Sequence, residues 1–130
     1  MEIIKNMKLG FPKENTKSET RVAITPLIVD KLIKAGAEIQ IEKGLGGDLF
    51  QDNEFQKFGC KMVTGEEEIL SQSDIIIRIH PTKEKEISKI KKGTIHISLL
   101  NPFQSDNIIE NFVKAGVTAI SMELIPRSTI

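Results

Sequence analysis

Two stretches, Ile75-Ile76-Ile77-Arg78-Ile79 and Ile95-His96-Ile97-Ser98-Leu99-Leu100, decide how this chain is read. Apart from Arg78, His96 and Ser98 both are apolar throughout. Near-continuous runs of branched aliphatics this short suit strands covered on both faces, the environment of a parallel sheet. The polar segment Lys83 to Lys92, closed by Gly93, is the expected crossover helix between them.

Upstream, Met7-Lys8-Leu9-Gly10-Phe11 reads as a first strand that stops at Pro12, where a ladder donor is missing. A polar loop, Lys13 to Glu19, follows. Thr25-Pro26 is a helix start, with a hydroxyl residue at the N-cap and proline in the first turn. Val29, Leu32 and Ile33 fall at the spacing of one buried face, and Gly36 supplies the stop. Ala37, Ile39 and Ile41 then alternate with Glu38, Gln40 and Glu42, a strand entering the turn Gly44-Leu45-Gly46-Gly47-Asp48.

Downstream, Ser105-Asp106 can cap a helix with Ile108, Ile109, Phe112 and Val113 inward. Gly116 ends it before a strand over Val117 to Ser121. Five strands alternating with helices predict one three-layer α/β domain over residues 1–130, flavodoxin-like or Rossmann-like, with a mostly parallel five-stranded sheet.

Composition narrows the function. Eighteen basic and eighteen acidic side chains cancel, which leaves no single-sign field for nucleic acid or an anionic bilayer. The single cysteine, Cys60, excludes an internal disulfide and a multi-cysteine zinc site, and it is read as a small packing residue. No apolar run approaches the roughly 20 residues of a membrane span. No direct membrane insertion and a cytoplasmic location are expected.

Motifs exclude more than they assign. Gly44 to Gly47 follows a strand, but a dinucleotide fingerprint needs a third glycine where Leu49 stands and a helix opening there, so a plain turn is the better reading. Walker A, Gly-x-Ser-x-Gly and His-Glu-x-x-His patterns are all missing. A receiver-type phosphorylation domain needs acids after its first and third strands, where this chain has Phe11-Pro12-Lys13 and His80-Pro81. His80, at a strand end, is either a ligand-facing donor or a partly exposed structural residue. His96, inside an apolar run, reads as a satisfied core histidine. Glu66-Glu67-Glu68 suits a solvated first helical turn better than a metal site; no metal ligand set is expected.

The runs Gly10-Phe11-Pro12-Lys13-Glu14 and Glu19-Thr20-Arg21-Val22-Ala23-Ile24-Thr25-Pro26 resemble the opening of the alanine dehydrogenase and NAD(P) transhydrogenase superfamily. The likeness continues through Glu42-Lys43-Gly44-Leu45-Gly46, Ile77-Arg78-Ile79 and Ser121-Met122-Glu123-Leu124-Ile125-Pro126-Arg127. In the dehydrogenase branch the resemblance implies a lysine on the third strand that holds the substrate carboxylate and a histidine after the fourth as acid and base. This chain has His80 and Asn101 there. Asparagine has no proton to trade near neutrality, so the likeness points to the transhydrogenase alpha-subunit branch. The alternatives are an amino-acid dehydrogenase lobe and a non-catalytic binding module.

On that resemblance Arg127 is the expected cofactor contact, while Arg21 and His80 are possible cleft-lining residues, Arg21 mainly securing its loop. No catalytic residue is assigned. The cofactors implied are NAD(H) and NADP(H) in the full enzyme, with none held tightly by this chain alone. The partners implied are an NAD-binding domain lying beyond these residues, NADP-binding and membrane domains, and a second copy in a homodimer. The location implied is peripheral to the inner membrane, and the 130 residues read as a fragment or truncated gene product.

Overall fold

A computed structural model describes residues 4–14, 19–100 and 106–124. Six strands, β1 (Lys8–Phe11), β2 (Glu38–Glu42), β3 (Lys61–Val63), β4 (Ile75–Ile77), β5 (Ile95–Ser98) and β6 (Thr118–Ser121), form one sheet in the order β3-β2-β1-β4-β5-β6. Every neighbouring pair is parallel. Four α-helices intervene: α1 (Pro26–Lys34), α2 (Asp52–Gln56), α3 (Glu67–Gln72) and α4 (Asp106–Lys114). The sheet thus has six strands where five were expected, the addition being β3. The order is that of the Rossmann fold, which reverses direction between β1 and β4.

The first βα unit forms as its sequence dictates. Pro26 opens α1 with its ring preset for a helix, although Thr25, in extended conformation, makes no side-chain cap bond. Val29 is fully buried, and Gly36, at φ +100, turns the chain into β2. Across β1 the sheet needs Gly10 for a different reason. A side chain there would collide with Ser73 Oγ and Ile69 Cγ2, so its absence lets α3 sit directly on the central strand.

Two expectations are corrected. The crossover helix after β4 is present but shorter than the Lys83 to Lys92 segment, a 3-10 helix over Glu84–Lys89. On α4, Phe112 is fully buried, but Val113 is 71% exposed and Ile109 also faces out, so the inward stripe is narrower than its spacing suggested. The proposed Ser105 cap lies outside the described residues.

The core divides about the sheet. On one face Leu9, Phe11, Ile39 and Ile41 pack with Val29 of α1 and Phe55 of α2. On the other, Ile76 packs with Ile69 and Leu70 of α3, Ile87 of the 3-10 helix and Phe112 of α4. Cys60 is buried near Met62, its Sγ 3.8 Å from Sδ. Burial pushes its thiol up to about 11, which keeps it an unreactive packing residue as expected. Among the described residues no helix is long and apolar enough to cross a membrane, and no group of His, Cys, Asp and Glu is placed to hold a metal.

Candidate functional site

Parallel α/β sheets place their ligand crevice outside the C-terminal ends of the strands, at the point where strand order reverses. Here that point lies between the segments that leave β1 and β4, Pro12-Lys13-Glu14 and Arg78-Ile79-His80. The backbone N–H groups of Ile79 and His80 both point at one acceptor, the Glu14 carboxylate, at 2.8 and 2.9 Å. Strand pairing continues into this segment, since Arg78 N–H donates to the Ile97 carbonyl and Leu99 N–H to the Ile79 carbonyl. The longer apolar run read in the sequence is therefore present as ladder, though β4 itself ends at Ile77.

Behind Glu14 lies Arg78, completely buried. Its Nη1 donates to Glu66 Oε2 at 3.1 Å and to Thr82 Oγ1 at 3.2 Å, and its Nη2 donates to the Lys13 carbonyl at 3.0 Å. Thr82 Oγ1 is in turn 2.9 Å from His96 Nε2. With the hydroxyl donating, His96 is neutral and carries its proton on Nδ1, which has no partner among the described residues. His96 is thus a core histidine as expected, its ring tilted at 45° against Phe112 with centroids 4.6 Å apart, but satisfied at one nitrogen only. Burial, aided by the Arg78 charge, lowers its pKa to about 3. Glu66, read as part of a solvated turn, is instead this network's anion.

In front of Glu14 the arrangement is open. Glu19 gathers Arg21 and His80: Arg21 donates from its backbone N–H, Nε and Nη2 at 2.8 to 2.9 Å, and His80 Nε2 lies 2.7 Å from Oε1. The Arg21 hydrogen bonds, ahead of the smaller contribution of His80, hold the Glu19 carboxyl down at about 2. The Arg21 side chain remains 63% exposed and the His80 side chain 39%. Arg21 also lines a cleft of about 470 Å³ with Lys13, Glu14, Glu19 and the turn Gly44 to Leu49.

The two cleft candidates described here, Arg21 and His80, are therefore brought together, through a glutamate that spacing did not single out. Arg127 and Asn101 lie outside the described residues. The described residues do not fit a dinucleotide pyrophosphate. The N–H groups at the crevice that would face a phosphate are taken by Glu14, an anion itself, and no glycine-rich phosphate turn leaves β1. What the arrangement offers is an exposed, fixed guanidinium beside an imidazole, able to meet a carboxylate, an amide or a partner's acidic group at the mouth of the cleft.

Comparison with known proteins matches this geometry to a family. Residues 10–130 match the family described as "Alanine dehydrogenase/PNT, N-terminal domain". An NAD(P) transhydrogenase subunit alpha polypeptide of Rickettsia prowazekii is 37% identical over 128 residues, covering 95% of this chain and 33% of the relative. Alanine dehydrogenase 1 of Staphylococcus aureus is 37% identical over 120 residues, covering 92% of this chain and 32% of the relative. The crystal structure of transhydrogenase from Sinorhizobium meliloti superposes with a TM-score of 0.85 at 31% identity, over 93% of this chain and 36% of that one. The chain spans about a third of the length of these relatives. With a Rossmann-ordered parallel sheet and a family match over nearly its full length, this chain belongs to the alanine dehydrogenase/PNT N-terminal domain family.

Proposed function

We propose that this domain is the N-terminal lobe of an NAD(P) transhydrogenase alpha subunit, forming one wall of an NAD(H) cleft in an enzyme that passes hydride from NADH to NADP with coupled proton translocation. The observation that carries this reading is the residue pair His80 and Asn101, at positions where the dehydrogenase branch is expected to hold a carboxylate-binding lysine and an acid/base histidine. Asparagine supplies no proton for oxidative deamination. Hydride transfer between nicotinamides asks the protein only for orientation and exclusion of water, the chemistry residing in the cofactors. The likeness to the Rickettsia and Sinorhizobium transhydrogenases supports the same branch.

In this reading the dinucleotide is held by a nucleotide-binding domain elsewhere in the polypeptide. Arg127 contacts it, while Arg21 and His80 shape the cleft wall. NADP-binding and membrane domains are the further partners, the assembly is a homodimer on the cytoplasmic face of the inner membrane, and the isolated lobe is inactive. The test is an assay of the complete gene product with its partner subunits. NADH-dependent reduction of thio-NADP, slowed by Arg127→Ala without loss of folding, is the expected result. Activity untouched by Arg127→Ala removes Arg127 from the site.

The similarity to the Staphylococcus alanine dehydrogenase and the exposed Arg21 guanidinium favour a second reading, an amino-acid dehydrogenase lobe gripping a carboxylate. NADH oxidation by the complete protein that requires pyruvate and ammonium would replace the first reading with this one. Neither activity would leave a non-catalytic binding module.

A further inference from the structure

Three fully buried residues each carry a polar atom that meets no hydrogen-bond partner among the described residues: Arg78 through Nε, His96 through Nδ1 and Ser98 through Oγ. A polar atom buried in this way gives up its hydration for nothing in return, and native interiors seldom accept one. Two further such atoms, Ser73 Oγ and Asn111 Nδ2, stand elsewhere, ahead of β4 and on α4.

The first three are not scattered. Ile76 pairs with His96 and Ile77 with Ile97, and the ladder runs on past β4, from Arg78 N–H to the Ile97 carbonyl and from Leu99 N–H to the Ile79 carbonyl. Arg78 is thereby set across from Ser98 as Ile76 is from His96, and Ser98 is across from Ser121 on its other side. Residues two apart on a strand share a face, so all three belong to the face of the sheet that Phe112 of α4 covers. Neighbouring strands are about 4.8 Å apart, and the bonds already made draw the groups closer. Thr82 Oγ1 is 3.2 Å from Arg78 Nη1 and 2.9 Å from His96 Nε2, which holds the imidazole beside the guanidinium.

Which of these atoms donate decides what they can bind. Arg78 Nε can only donate. The Thr82 backbone N–H reaches His96 Nε2 at 3.4 Å, and Thr82 Oγ1 accepts from Arg78, so Nε2 is the acceptor of the ring and Nδ1 carries the proton. Two N–H donors and a serine hydroxyl are left, and the protein sets no acceptor against them. A halide or a carboxylate could accept from all three. Glu66 already answers the Arg78 charge at 3.1 Å, however, so a further anion would bring excess negative charge into a buried place. A neutral molecule with two lone pairs and a hydrogen to give meets the same groups without that penalty. Water is such a molecule, and internal waters commonly make about three hydrogen bonds.

We propose that Arg78 Nε, His96 Nδ1 and Ser98 Oγ form the binding site of one ordered internal water, which accepts from the two N–H groups and donates to the serine. The site lies behind the cleft. Arg78 Nη2 holds the Lys13 carbonyl, and Lys13 lines the cleft beside Glu14, so the water completes the shell of the arginine that carries this wall. The proposal does not rest on the transhydrogenase reading. Its test is a crystal structure of the complete gene product at a resolution that shows ordered solvent, from crystals grown in chloride and a second set soaked in bromide. The expected result is a solvent peak about 2.7–3.2 Å from all three atoms, with no anomalous bromide signal there. An empty site, or a side chain from elsewhere in the polypeptide bonded to these atoms in place of solvent, overturns the proposal. A bromide signal at the peak overturns it too, because the occupant is then an anion.

Discussion

Two arginines sit near the same end of the sheet, each against a glutamate. Arg78 meets Glu66 at 3.1 Å with its side chain wholly buried, and Arg21 meets Glu19 at 2.8 Å with its side chain 63% exposed. The shorter bond is the less consequential one. A charge taken out of water must be answered by its partners, and Arg78 is answered by a carboxylate, a hydroxyl and a carbonyl from three separate segments. It thereby fastens the loop after β1, the start of α3 and the segment after β4 together. Arg21 remains hydrated, so its pair holds a loop in shape and leaves the guanidinium open to a ligand. One arginine has been absorbed into the architecture; the other is presented by it.

Removing Arg78 tests the first half of this contrast. Arg78→Ala should cost about 3–5 kcal/mol, the penalty for breaking a buried pair and leaving Glu66 and Thr82 unanswered, read as a fall in the urea midpoint. A loss under about 1 kcal/mol would place Arg78 with ordinary surface arginines.

The pH dependence of stability sharpens the contrast. His96 has a folded pKa of about 3, below its unfolded value near 6.5, so the unfolded chain takes up a proton first as pH falls. Stability should be full above about pH 6.5 and decline below it, by up to about 1.4 kcal/mol per pH unit, towards pH 3. His96→Gln should flatten that decline. Glu19, depressed to about 2, adds a later loss in the same direction below about pH 4.5. A wild-type profile flat from pH 7 to pH 5 would contradict the buried neutral imidazole.

Arg21→Ala should leave the urea midpoint within error at neutral pH. In the complete protein it should weaken whatever occupies the cleft, measured as a rise in KM or Kd without loss of folding. A large drop in stability would make Arg21 a second Arg78 and dissolve the distinction.

Much of the architecture was legible because local chemistry and tertiary burial agreed. Proline at the start of α1, the alternation of β2 and the glycine that ends α1 each had one physical reading, and the fold uses them so; the isoleucine runs form strands as read, but only one of their faces is fully buried. β3 was missed because Lys61-Met62-Val63 is too short to show a period. The width of α4's buried face was overestimated because the spacing of Ile109 and Val113 marks them as apolar but does not say which of them meets a neighbour. The site was less legible. Arg21 and His80 could be named from their places at strand ends. Glu14, Glu19, Glu66 and Arg78 owe their roles to partners 12 to 66 residues away, apart from Glu19's bond to Arg21 and Arg78's bond to Thr82, four residues on. An arginine within an apolar run announces burial only when its anion is known, and no spacing links Arg78 to Glu66.

The strand order carries a kinetic consequence. β1, β2 and β3 are sequential neighbours, so their pairing closes short loops and can form early. The seam between β1 and β4 joins Lys8 to Asp74 across 66 residues of sequence. It returns no native contact until that long loop has closed. Until then the free edge of β1 and the isoleucines of β4 are exposed together, so the chain's greatest hazard of misassociation falls before the middle of its sheet has been sewn shut.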